Sequence, residues 1–230
     1  MARKNQTLNS DFTVLQIFDH SPTHTFLFTL VLAIFTMECV GNMAMILLIY
    51  LDAQLHMPIY FLISQLSLMD LMIICTIVPK MAVNFLSGRK SITLADCGAQ
   101  IFFYVSLLGS ECLLLTIMSY DHYAAICQPL RYTHLIRPKI CGLMFTFSWI
   151  LRSIDELTDG VVTFSFSYCG SRKIAHFFCD FSAFLIHSCN ATSTFEKNSF
   201  VCCIVMIGFP VEVILASYTW IILAVISMGD

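Results

Sequence analysis

The chain has 230 residues, of which 58% are hydrophobic and only 12% charged, with a formal net charge of −3. A soluble domain carries about 25% charged residues, so water cannot be the solvent for most of this surface and lipid must be. The small net charge and the lack of any lysine- or arginine-rich run exclude a nucleic-acid surface.

The first two dozen residues are polar (Arg3, Lys4, Asn5, Asn9, Asp11, Asp19). No cleavable signal peptide is evident. The first apolar stretch lies beyond them and exceeds the about 7–15 residues of a signal core, so it reads as a retained signal anchor. A spanning helix needs roughly 20 mostly apolar residues. Five stretches qualify: about 25–50, 57–79, 98–120, 140–163 and 199–226. They are too long and continuous for barrel strands. The longest connection, about 164–198, leaves no room for a soluble domain. The expected fold is an all-α transmembrane helix bundle, residues 1–230 forming a single domain.

Orientation rests on conflicting signals. One side holds Arg131, Arg137 and Lys139; the other holds Arg3, Lys4, Lys80, Arg89, Lys90, Arg172, Lys173 and Lys197. That count argues against an outside N-terminus. Two glycosylation sequons, Asn5-Gln6-Thr7 and Asn190-Ala191-Thr192, share the N-terminal side with Cys97, Cys169, Cys179 and Cys189. Glycans are added and disulfides persist on the lumenal side. The preferred reading places residues 1–24 outside the cell and the C-terminus in the cytoplasm.

The third stretch ends in MSYDHYAAICQPLRY, Met118 to Tyr132. This resembles the MAYDRYVAICxPLxY signature of vertebrate odorant receptors, a family of rhodopsin-like G-protein-coupled receptors with seven spans. Further matches fall in family order. They are Gly41-Asn42, MPIYFLISQLSLMDL (Met57 to Leu71), Pro79-Lys80-Met81, Cys97, Ser148-Trp149, HFFCD (His176 to Asp180) and Ser217-Tyr218. The resemblance covers the chain from about residue 10 and is to the tetrapod-type branch. It implies a multi-pass plasma-membrane receptor, built from the first five helices of a seven-helix fold. Its partners would be a small volatile odorant, a heterotrimeric G protein and the lipid bilayer, with no cofactor.

The resemblance also implies a Cys97–Cys179 disulfide and suggests a second bridge, Cys169–Cys189. Sequence alone leaves three pairings open for four cysteines, and free thiols are the alternative. The other seven cysteines read as small apolar packing residues. By the same resemblance the odorant would meet Tyr104, Val105, Leu108 and Gly109 of the third span with Cys202 and Met206 of the fifth. Such small, soft residues suit an apolar ligand, but they also suit ordinary helix packing in membranes. Asp121, His122, Tyr123 and Tyr218 would form the G-protein switch. Asn42, Asp70 and Glu111 would form an inner polar cluster that senses ions or activation, or else a purely structural network.

Three features depart from the family pattern. The sequence stops after the fifth span, so the reading is of a truncated receptor lacking a pocket wall and the moving sixth helix. Histidine at 122 replaces an arginine; it is shorter and mostly neutral at neutral pH, so coupling should be impaired. Arg152, Asp155, Glu156 and Asp159 share one face of the fourth span. Each charge at mid-span costs about 2.5–3.5 kcal/mol if unpaired. Either that face awaits a partner helix, or the helix has drifted and inserts badly; the second reading is preferred.

Catalysis has no support: no nucleophile–base pair, phosphate-cradling loop or zinc-hydrolase helix appears. A metal site at His176, Cys179, His187 and Cys189 is disfavoured, because oxidised cysteines do not ligate. The alternatives to an odorant receptor are a non-signalling truncated fragment or pseudogene product and, on the buried acids alone, an ion or solute transporter.

Overall fold

A computed structural model describes residues 12–14, 21–55, 57–87, 91–92, 94–132, 138–165, 173–174 and 193–229. Five long helices dominate: α1 (Pro22–Leu51), α2 (Pro58–Ser87), α3 (Leu94–Cys127), α4 (Pro138–Ser165) and α5 (Ser193–Gly229). Their ends follow local chemistry. Ser21 caps α1, its hydroxyl accepting the His24 N–H at 3.4 Å, and Pro22 occupies the first turn where no donor is needed. After Leu51 the chain turns through a short 3₁₀ segment, Ala53–Leu55, with the Asp52 carboxylate accepting the Gln54 N–H at 2.9 Å.

Among the described residues, four helices are long and apolar enough to cross a membrane: Pro22–Leu51, Pro58–Ser87, Asp96–Cys127 and Ser193–Ser227. The stretch expected at 140–163 is also helical, within α4, but its charged residues keep it out of that group. Pro79 lies inside α2 and Pro210 inside α5. Neighbouring helices and local adjustments make such prolines tolerable in lipid.

Helix α3 is the hub, packing on α2, α4 and α5, while α1 rests chiefly on α2. The main core joins Leu62 and Met69 of α2, Leu107, Leu114, Ile117 and Ala124 of α3, and Cys141 of α4. A second cluster closes the N-terminal end, where Phe28 of α1 stacks on Phe85 of α2 at 4.1 Å between ring centroids. Beside this core, several polar side chains are also buried and many large apolar ones are exposed, as lipid permits. Ser106, Ser110, Asp121, Arg152 and Glu156 are inside, whereas Met37, Phe147, Phe200 and Trp220 face outward.

A small sheet, absent from the all-α expectation, ties three segments at the N-terminal end of the bundle. Strand β1 (Phe12–Val14) pairs antiparallel with β2 (Ser91–Ile92) and parallel with β3 (Lys173–Ile174). Thr13 lies opposite both Ser91 and Lys173.

Candidate functional site

The signature at the end of α3 builds a latch. Asp121 is only 2% exposed, and a buried carboxylate needs donors. Its donor is the Tyr132 phenol, which reaches Asp121 Oδ1 at 3.1 Å from beyond the helix end. Burial, with the charge of Asp121 beside it, pushes the Tyr132 hydroxyl up to about 12, so it remains a neutral donor at physiological pH. His122 and Tyr123 are half-buried, and the Tyr123 ring lies 6.3 Å from that of Tyr120. Tyr218 on α5 is 46% exposed, and no hydrogen bond or ion pair among the described residues joins it to His122. Helices α3 and α5 meet near this end through a weak thiol contact, Cys127 Sγ to the Trp220 carbonyl at 3.9 Å.

Nearer the middle of the bundle, the structure enlarges the expected polar cluster. The Asn42 amide donates to Glu38 Oε2 at 3.3 Å across one turn of α1. Glu38 repels Asp70 of α2, which in turn repels Glu111 of α3. None of the ion pairs among the described residues reaches these three acids. Sequence reading missed Glu38; its signal was the four-residue offset from Asn42, which stacks the two on one helical face.

The charged face of α4 turns inward. Arg152 forks between Asp155 Oδ2 at 2.6 Å and Glu156 Oε1 at 2.9 Å. Its guanidinium lies against Gly109 of α3, where a Cβ would collide with it. Toward α5, Asp155 Oδ2 also accepts the Cys202 thiol at 3.8 Å, and Asp159 accepts the Ser199 hydroxyl at 3.4 Å. The sequence left this face either awaiting a partner helix or belonging to a drifted helix that inserts badly; in the structure it lies against α3 and α5.

The expected ligand wall is split by this network. Tyr104, Val105, Cys202 and Met206 are half-buried, and Leu108 is exposed. Gly109 and Cys202 both face charged α4 side chains rather than an apolar space alone. Three cavities elsewhere are lined by described residues. One of about 430 Å³ lies between α1 and α2, lined by Ile46, Ile49, Tyr50, Phe61 and Gln65 among others. One of about 310 Å³ lies beside the Lys80–Asp96 ion pair, and one of about 330 Å³ surrounds Cys127 to Arg131. None of the three includes the six expected wall residues.

Residues 41–230 match the family described as 7 transmembrane receptor (rhodopsin family). Over all 230 residues the chain is 71% identical to olfactory receptor 2M5 of Homo sapiens, covering 74% of that protein. It is 69% identical to human olfactory receptor 2M7, again covering 74%. This chain belongs to the olfactory receptors. More distantly, it is 50% identical over 224 residues to olfactory receptor 2V1 of Mus musculus, spanning 97% of this chain and 71% of that one.

The olfactory receptor is thus a rhodopsin-like, multi-pass plasma-membrane protein and not an enzyme, and membership implies an odorant ligand and G-protein coupling. Cys97 at the start of α3 is disulfide-bonded. Cys169, Cys179, Cys189, His176, His187, Asn5 and Asn190 lie outside the described residues. Cys39, Cys75, Cys112, Cys127, Cys141, Cys202 and Cys203 are free. Tyr132 is the functional residue that sequence reading quoted but gave no role. Its signal was its place as the last residue of the α3 signature.

Proposed function

We propose that this olfactory receptor takes a small volatile odorant against the outer halves of α3 and α5 and relays binding along α3 to a G protein at the Asp121–Tyr132 latch. The observation that carries the reading is the position of α3. It carries both expected ligand residues and the signature, and it packs on α2, α4 and α5 along the way. Its N-terminus is outside and its C-terminus cytoplasmic. The sheet supports a shared side for the N-terminal segment and the α2–α3 and α4–α5 connections, because β1 hydrogen-bonds to both of the other strands. Cys97 pairs with Cys179.

His122 weakens the coupling, since an imidazole lacks the five donors and fixed charge of arginine. The test is odorant-evoked cAMP in cells expressing the chain with and without His122→Arg, at matched surface level. The expected result is a several-fold larger maximal response in the variant; an unchanged response removes the role given to His122. Glycosidase shifts of Asn5→Gln and Asn190→Gln check the orientation, with sugar on both sites expected.

A further inference from the structure

We infer that the seam between α3, α4 and α5 holds a small monovalent cation, either the ammonium group of an amine ligand or a sodium ion, against Asp155, Glu156 and Asp159. The first observation is a charge imbalance. Arg152 pairs with Asp155 and Glu156, while Asp159 beside them is met by the Ser199 hydroxyl, leaving the cluster formally two charges negative among the described residues. Uncompensated charge inside a bundle is expensive, and such groups normally find partners.

The second observation is a buried atom without a partner. Glu156 is 5% exposed, and its Oε2 has no hydrogen-bond donor among the described residues. Oε1 alone is used, by Arg152. The arginine cannot serve both oxygens. Its two terminal nitrogens are committed to Asp155 and Glu156, and its Nε, also unpartnered, is pressed against Gly109.

The third observation is room on the same face. Gly160 lies one turn beyond Glu156, and a Cβ there would meet nothing within 4 Å. Asp155 and Asp159 are half-buried rather than sealed, so an ion arriving from the outer half of the seam meets them first. The groups available on α5 are the Ser199 hydroxyl and the Cys202 thiol, both donors that already serve Asp159 and Asp155. Neither adds positive charge. A cation is therefore the occupant that balances the cluster, whereas an anion or an apolar group is not. The site adjoins the expected odorant wall but does not depend on it, because its readout is stability and not signalling.

The test uses the full chain in lipid nanodiscs, with unfolding followed by the fluorescence of Trp149 and Trp220. At constant ionic strength, N-methylglucammonium chloride is replaced by sodium chloride or by butylammonium chloride. The expected result is a rise in Tm of about 3 °C with one or both small cations, the size that saturating a weak site gives for a chain of this length. The rise should vanish in Glu156→Gln, which removes a charge, and in Gly160→Leu, which fills the open space with every charge kept. A response to sodium alone identifies an ion site, and a response to butylammonium identifies an amine subsite. No rise over the bulky cation, or a rise that survives in the variants that fold, overturns the proposal. Either variant suffices if the other fails to fold.

Discussion

Helices α1 and α4 are similar in length, 30 and 28 residues, yet they meet their surroundings in opposite ways. Helix α1 is apolar nearly all round, rests on α2, and buries only Phe28 and Ile49. Helix α4 carries four ionisable groups on one face and turns it into α3 and α5. In water an all-apolar helix would be central and a charged face would point outward. In lipid the order reverses, since tails solvate leucine as well as another helix does but cannot solvate a carboxylate. Position in this bundle is therefore set by where polar groups can be satisfied.

The strongest way to break that comparison is Arg152→Ala. It leaves Glu156 buried and Asp155 partly buried without their shared cation. Removing one partner of a buried pair costs about 3–5 kcal/mol. The expected outcome is loss of most folded protein, read as the monodisperse fraction after solubilisation. Normal yield and Tm would mean that α4 does not face the bundle.

Filling the space that admits the arginine should cost less. In Gly109→Val the new side chain meets the Arg152 guanidinium, and overpacking of this kind costs typically about 1–3 kcal/mol. Because the clash is with one side chain, the penalty should shrink in an Arg152→Gln background, and a double-mutant cycle of Tm values reads this coupling. Additive effects would separate the two residues.

An effect of similar size is expected at the latch. Tyr132→Phe removes the donor to buried Asp121 and should destabilise by about 1–3 kcal/mol, the desolvation penalty of an acceptor left unmade. The pH dependence has a definite sign. The Tyr132 hydroxyl is raised to about 12 in the folded state, above the value of about 10 in an unfolded chain. Its contribution is thus complete below pH 10 and lost as pH rises through 10 to 12. Comparing wild type with Tyr132→Phe, the gap in Tm should be constant from pH 6 to 9 and close above 10.

The contrast between helices was only half legible in the sequence. Five helices were readable: four hold a lipid-length apolar run, and in α4 the run is broken by its charged face. Their full extents were not: α2 continues to Ser87 and α3 to Cys127, because hydropathy marks the bilayer while backbone hydrogen bonding carries the helix past its edge. Helical spacing placed Arg152, Asp155, Glu156 and Asp159 on one face, but spacing cannot say what that face meets. Gly109 shows the same limit. A small residue read as room for a ligand is room for an arginine from the next helix. The strands of two and three residues are too short for any alternating pattern to announce them.

The smallest effect belongs to the rim, and it is the control on which the comparison stands. Met37 of α1 is 75% exposed, beside Val40 at 64%. Lipid should replace whatever contact Met37→Ala removes, so the change in stability should stay within about 0.5 kcal/mol, as for surface sites in general. Tm in nanodiscs measures it. A loss near 2 kcal/mol would instead match a core truncation, which means that another helix, from this receptor or a second copy, covers that face in the membrane. Then α1 is no rim helix, and its apolar surface must be explained by protein contact as that of α4 is.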